Sequence, residues 1–175
     1  MKKTIFLIGY MGSGKSRIGK ELSNSISYSF YDLDKVIEKN EGLTINQIFE
    51  QKNEMYFRSI EREYLIETIN IDENKVISLG GGTPCYSDNI DLILNTSNSD
   101  SIYLNRSVEF LVERLYKKIS FRPLISHLRS KEELKGFISK HLFERNQYYL
   151  RAKKLLNTDN SKIDQNIKEL IKLLG

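Results

Sequence analysis

Residues 9–16 read Gly9-Tyr10-Met11-Gly12-Ser13-Gly14-Lys15-Ser16, a complete G-x-x-x-x-G-K-S pattern directly after the apolar run Thr4–Ile8. A buried strand that turns sharply into a helix aims backbone N–H groups and a helix N-terminus at one spot, and such a spot binds phosphate. Lys15 would reach the outer phosphates of a nucleotide, and Ser16 would offer its hydroxyl to Mg²⁺. The alternative is a flexible glycine turn; the strand–loop–helix context argues for the phosphate site. Asp32-Leu33-Asp34 closes a second short strand. Strand alternation sends both carboxylates to one side, near the crevice where sheets of this kind bind ligands. One could organise the hydration shell of Mg²⁺ while the other accepts a hydrogen bond from a substrate hydroxyl. The alternative is that Asp32 or Asp34 caps the following helix.

Gly80-Gly81-Gly82 follows a third apolar run and would let the backbone pass very near a ligand, or would simply turn tightly. Arg58, Arg122 and Arg145 carry planar forks suited to carboxylate and phosphate oxygens. An isolated arginine is usually a solvated surface residue, and spacing alone does not bring these three together. His127 and His141 lack companions at metal-ligand spacing, and Cys85 reads as a small buried residue. None of the three is assigned chemistry.

The elements that must position these groups alternate. Strands are expected at Thr4–Ile8, Ser29–Asp32, Val76–Leu79, Ser101–Leu104 and Lys154–Thr158, with helical spacing between them. That alternation describes an α/β protein, a parallel sheet covered on both faces. The first helix begins inside the glycine-rich loop and carries Ile18 and Leu22 on one side. Thr44-Ile45-Asn46-Gln47 resembles a capping box opening one helix, and a second follows from about Glu54. This pair is longer than a simple crossover needs and forms a natural substrate pocket over the sheet's carboxyl edge. Another helix starts at Ser107 and ends near Lys117-Lys118. Periodicity is lost over 119–130, where Arg122-Pro123 disfavours helix, so this segment is expected to be a mobile loop over the phosphates. A helix from Lys131 to about Arg151 and a closing helix opened by Ser161 complete the chain.

At 175 residues and 20.4 kDa the chain is expected to be one domain with a real core. The apolar run after Met1-Lys2-Lys3 is too short for a signal-peptide core or a bilayer span, and no other stretch approaches one. A single cysteine fits a reducing cytoplasm. The net charge of +4, with pI near 9.0, comes from lysines spread along the chain. That excess suits small anionic ligands but makes no nucleic-acid stripe. Tyr10, Tyr28, Tyr31, Tyr86 and Tyr103 lie apart and form no stacking platform. Nucleic acid and membrane are therefore not expected partners.

Together these residues closely resemble shikimate kinase. The resemblance rests on the loop at 9–16, Asp32-x-Asp34, Phe57-Arg58-x-x-Glu61, Gly80-Gly81-Gly82 after a V-I-S-L strand, Arg122-Pro123-Leu124-Ile125, and the arginine and tyrosines at 145–149. It covers almost the whole chain, in order. The resemblance implies a three-layer sandwich around a five-stranded parallel sheet ordered 2-3-1-4-5, a helical substrate-binding region at 33–70 and a mobile lid at 114–130. It further implies transfer of the ATP γ-phosphoryl to the 3-hydroxyl of shikimate, giving shikimate 3-phosphate and ADP on the route to chorismate and aromatic amino acids. The nucleotide would lie along Gly12, Ser13, Gly14, Lys15, Ser16 and Arg17, with Arg114 against adenine and Arg122 reaching the phosphates. Shikimate would meet Asp34, Arg58, Arg145 and the glycines 80–82. Ser16 and Asp32 would serve Mg²⁺, and Asp34, Lys15 and Arg122 would carry the catalysis. A cytoplasmic monomer is expected.

Two departures stand out. Ile125 replaces a second leucine in the lid, and Arg145-Asn146-Gln147-Tyr148-Tyr149 lacks the proline of the usual Arg-x-Pro-Leu-Tyr. Competing readings are a kinase for another hydroxy acid such as gluconate, a nucleotide kinase, or a nucleotide-sensing binding module. Asn74-Lys75-Val76-Ile77 lacks the aspartate that a GTPase-like base-recognition segment wants.

Overall fold

The computed structural model describes residues 2–122, 124–159 and 162–175. Pro123 and Ser161, two residues used in the sequence reading, lie outside them. Five strands form one parallel sheet: β1 (Thr4–Ile8), β2 (Ser29–Asp32), β3 (Lys75–Ser78), β4 (Ser99–Asn105) and β5 (Lys154–Asn157), in the order β2-β3-β1-β4-β5. The central strand β1 pairs in register with Lys75–Ser78 on one side and Ser99–Tyr103 on the other. All its residues are buried, which is why it reads as a continuous apolar run rather than an alternating one.

Alternation along β1 divides the core into two layers. Ile5 and Leu7 pack with Val76, Ile102 and Leu104 against Ile18 and Leu22 of α1 (Lys15–Ile26) and Ile167 and Leu170 of α8 (Ile163–Leu174). Phe6 and Ile8 point to the opposite face, with Ile77, Tyr103 and the remaining helices. The result is the three-layer arrangement the resemblance implies. Each buried aliphatic or aromatic side chain contributes about 1.5–3 kcal/mol of transfer free energy.

Between β2 and β3 lie three helices, α2 (Leu33–Glu41), α3 (Ile45–Gln51) and α4 (Glu54–Asn70), rather than the expected two. Asp32 caps α2 by accepting from the Lys35 N–H at 3.4 Å, a long contact, while Leu33 and Ile37 are buried one turn apart. The capping box at Thr44 is present, with Gln47 returning the bond. Between β3 and β4 a short helix, α5 (Asn89–Asn95), escaped the sequence reading; it buries Ile90 and Ile93. Ser107 caps α6 (Val108–Tyr116) as expected. The segment after α6 contains one 3₁₀ turn, Ile119–Phe121, and buries Ile125. α7 (Lys131–Tyr149) then ends two residues earlier than expected. Among the described residues no helix is long and apolar enough to cross a membrane.

Candidate active site

The glycine-rich loop leaves β1 and enters α1 at Lys15. Gly12 and Gly14 hold φ of +81° and +98°, the left-handed region that side chains resist. A Cβ on Gly12 would also stand 2.9 Å from Leu115. Lys15 is buried, and its ammonium donates to the carbonyls of Gly9 at 2.8 Å and Tyr10 at 3.0 Å. Burial pushes its pKa down to about 8, against the opposing pull of Asp34 and Asp32.

A cavity of about 330 Å³ opens over this loop at the carboxyl ends of the strands. Gly12, Gly14, Lys15, Ser16 and Arg17 line it together with Asp32, Asp34, Gly81, Arg114 and Arg122, among others. Ser13, expected on the same nucleotide, turns its N–H inward to the Tyr10 carbonyl at 3.1 Å and is fully buried. Its hydroxyl is the one buried side-chain polar atom without a hydrogen-bond partner among the described residues. A larger groove of about 520 Å³ lies at the opposite, amino-terminal edge beside Thr4 and Lys75, and holds none of the residues nominated from sequence.

The two aspartates reach the cavity by a different route from the one expected. Only Asp32 belongs to the strand; Asp34 sits in the first turn of α2. Helix initiation at Leu33, which is fully buried, replaces strand alternation as the device that aims them. Asp32 caps the helix, as the alternative reading expected, and also lines the cavity. Burial pushes the Asp34 carboxyl up to about 6; repulsion from Asp32 adds to this and Lys15 opposes it.

Arg58 and Arg145 do not line that cavity but converge on the glycine run beside it. Arg58 lies on α4, where its Nη1 donates to Glu61 at 2.8 Å. Glu61 has 1% side-chain exposure and also accepts from the Thr83 hydroxyl at 2.6 Å. A Cβ on Gly82 would stand 2.9 Å from the Arg58 guanidinium. Arg145 comes from α7; its Nη1 reaches the Gly81 carbonyl at 3.5 Å, and its guanidinium lies 5.6 Å from the centre of the Tyr10 ring. The Tyr149 hydroxyl donates to the same Gly81 carbonyl. A Cβ on Gly81 would stand 3.1 Å from the Met11 nitrogen, so the glycine run and the phosphate loop are in backbone contact. A Cβ on Gly80 would meet Thr83, Glu61 and Asp34. Burial pushes the Cys85 thiol up to about 11, and Arg145 and Arg58 both pull it back, so the two arginines act on one small volume.

Several contributors were missed from sequence. Glu61 stood in the motif without a role, although an acid three residues after an arginine on a helix is a legible pair. Tyr10 and Tyr149 stood inside quoted motifs without a role, and Thr83 and Tyr86 carry no sequence signal that separates them from core or surface residues. His141 bonds Tyr10 through Nδ1 at 3.2 Å rather than forming part of a metal site. Among the described residues no cluster of three His, Cys, Asp or Glu side chains could hold a metal unaided.

A strand–loop–helix phosphate cradle beside a paired-aspartate and paired-arginine pocket defines a small-molecule kinase of the phosphate-loop class. The comparisons narrow the class. The sequence pattern described as shikimate kinase matches residues 11–175. The chain is 45% identical to the shikimate kinase of Flavobacterium johnsoniae over 98% of each chain. The shikimate kinase structure from Bacteroides thetaiotaomicron is 34% identical, with a TM-score of 0.89 over 98% of both chains. The Acinetobacter baumannii shikimate kinase in complex with shikimate is 27% identical, with a TM-score of 0.87 over 99% of this chain and 93% of that one. This chain belongs to the shikimate kinase family.

Proposed function

We propose that the chain transfers the γ-phosphoryl of ATP to the 3-hydroxyl of shikimate, with the nucleotide along residues 12–17 and shikimate between α4 and the glycine run. The observation that carries this assignment is the convergence of Arg58 and Arg145 on Gly80–Gly82, one backbone contact away from the phosphate loop. Two guanidinium groups beside a cradle of glycines suit a compact acceptor with a carboxylate. Arg114 takes the adenine side; its Nη1 lies 3.7 Å from where a Gly14 Cβ would be.

Ser16, Asp32 and Asp34 line the same cavity, and among the described residues no third His, Cys, Asp or Glu joins the two aspartates to complete a metal cage. That donor set fits Mg²⁺, which keeps several waters and takes few protein oxygens beside phosphate. When bound, Mg²⁺ supplies charge neutralisation across the phosphates.

Phosphoryl transfer passes through a loose transition state, so positioning and charge stabilisation dominate. Asp34 orients the acceptor hydroxyl and receives its proton; its carboxyl, raised to about 6, is still ionised at neutral pH. Lys15 leaves the Gly9 and Tyr10 carbonyls for the outer phosphates, and Arg122, which lines the same cavity, meets the transferring group. Segments 33–70 and 114–130 act as acceptor-binding region and lid, and closure over the cavity excludes water. The whole site is assigned to one chain, acting as a monomer.

Phosphorus NMR of the product formed from ATP, Mg²⁺ and shikimate tests this reading. A phosphate monoester coupled to the proton on carbon 3 is expected; an ester at another carbon, or inorganic phosphate alone, contradicts it.

A further inference from the structure

Arg58 is held by two carboxylates of unlike character. Glu61 is buried, anchored by Thr83, and bonded to Nη1. Glu54, at the start of the same helix, is 54% exposed, and its Oε1 accepts from Nε at 3.3 Å and Nη2 at 3.2 Å. Nε and Nη2 form one edge of the guanidinium fork, an edge that pairs side-on with a carboxylate. The Tyr86 hydroxyl donates to the same Glu54 oxygen at 2.6 Å, while the Tyr86 ring lies 3.7 Å beneath the Arg58 guanidinium.

Resting on the reading of this pocket as a shikimate site, we propose that Glu54 is an internal competitor for the acceptor's carboxylate: it occupies the Nε–Nη2 edge of Arg58, and an acceptor's carboxylate must displace it to pair there. Glu61 is the fixed partner and Glu54 the exchangeable one. An exposed ion pair is worth little and is easily traded, whereas a buried partner with a second hydrogen bond is not. The position of Glu54 supports the role, because its carboxyl is held low by the Tyr86 hydroxyl first and by Arg58 and Arg145 after it. Glu54 therefore sits in the field of both arginines, where the acceptor's carboxylate would sit. A neutral acceptor has nothing to exchange for that contact and leaves the arginine edge blocked.

The test is calorimetric binding of shikimate and of its uncharged methyl ester to the full chain, to Glu54→Gln and to Tyr86→Phe. Tyr86→Phe keeps the ring under Arg58 and removes only the hydroxyl that holds Glu54, so it carries the test if Glu54→Gln folds poorly. Glu54→Gln should bind shikimate roughly two- to fivefold more tightly, the size of a lost exposed ion pair. Tyr86→Phe should move the same way by less, and ester affinity should stay as in the parent. Unchanged or weaker shikimate binding overturns the proposal, and so does equal tightening of the ester. ADP release by the parent chain with shikimate is measured separately: its failure rejects the acceptor assignment itself, while its success with slack or unchanged Glu54→Gln binding rejects only the exchange.

Discussion

Lys15 and Asp34 face one cavity, and burial displaces their pKa values toward each other, to about 8 and about 6, while the charge of each opposes the other's shift. The ionised pair therefore exists over a narrow window. Below about pH 6 Asp34 takes up a proton and can no longer receive one from the acceptor hydroxyl; above about pH 8 the Lys15 ammonium is lost. A profile of kcat/KM against pH, which reports groups of the free enzyme, should fall on both sides with limbs near these values. A flat profile from pH 5 to pH 9 would remove the pair from the mechanism.

Asp34→Asn separates chemistry from stability. Turnover should fall by roughly 10² or more while ATP still binds, because general-base and orienting groups contribute on that scale. The folded pKa lies above the unfolded value of about 3.9, so the parent gains stability from a protonated Asp34 at low pH and loses it as pH rises through about 6. The amide carries no such loss. Asp34→Asn should therefore melt above the parent at pH 8, with the difference vanishing near pH 4. Near-normal turnover, or a lower melting temperature at pH 8, would contradict this.

Arg58→Ala should weaken shikimate binding by about 2–5 kcal/mol, the cost of truncating one partner of a desolvated charge pair, with ATP affinity retained. Part of that cost falls on Glu61, which would keep Thr83 as a partner but lose its counter-charge. Titration calorimetry with each ligand reads both effects, and an unchanged shikimate affinity would refute the clamp.

Gly82→Ala should raise the KM for shikimate by roughly tenfold and leave that for ATP alone. The new methyl would lie 2.9 Å from Nη1 and Nη2 of Arg58, which must give way. A displaced guanidinium loses the planar alignment on which side-on carboxylate pairing depends. An equal rise in both KM values would instead mean that the phosphate loop had moved.

Apolar runs made the sheet readable: Thr4–Ile8 and Ser29–Asp32 match the observed strands residue for residue, and the other three differ by one or two positions at their ends. The α2 helix was hidden because Asp32-Leu33-Asp34 looks like a strand end, and only Leu33 and Ile37 mark the buried side of the helix. At seven residues, α5 is too short to show a period. The phosphate site was legible because its residues are adjacent in sequence. Convergence of Arg58 and Arg145 was not, because α4 and α7 meet the glycine run only through tertiary packing. Glu54 was legible only as an i, i+4 partner of Arg58; its spacing does not tell which arginine edge it covers.

Coupled ADP release with ATP and Mg²⁺ compares shikimate with gluconate, nucleoside monophosphates and no acceptor. ADP formation should depend on shikimate and stay at the acceptor-free level with the others. ADP release driven by a different acceptor, or none above background in a folded chain that binds ATP, would contradict it.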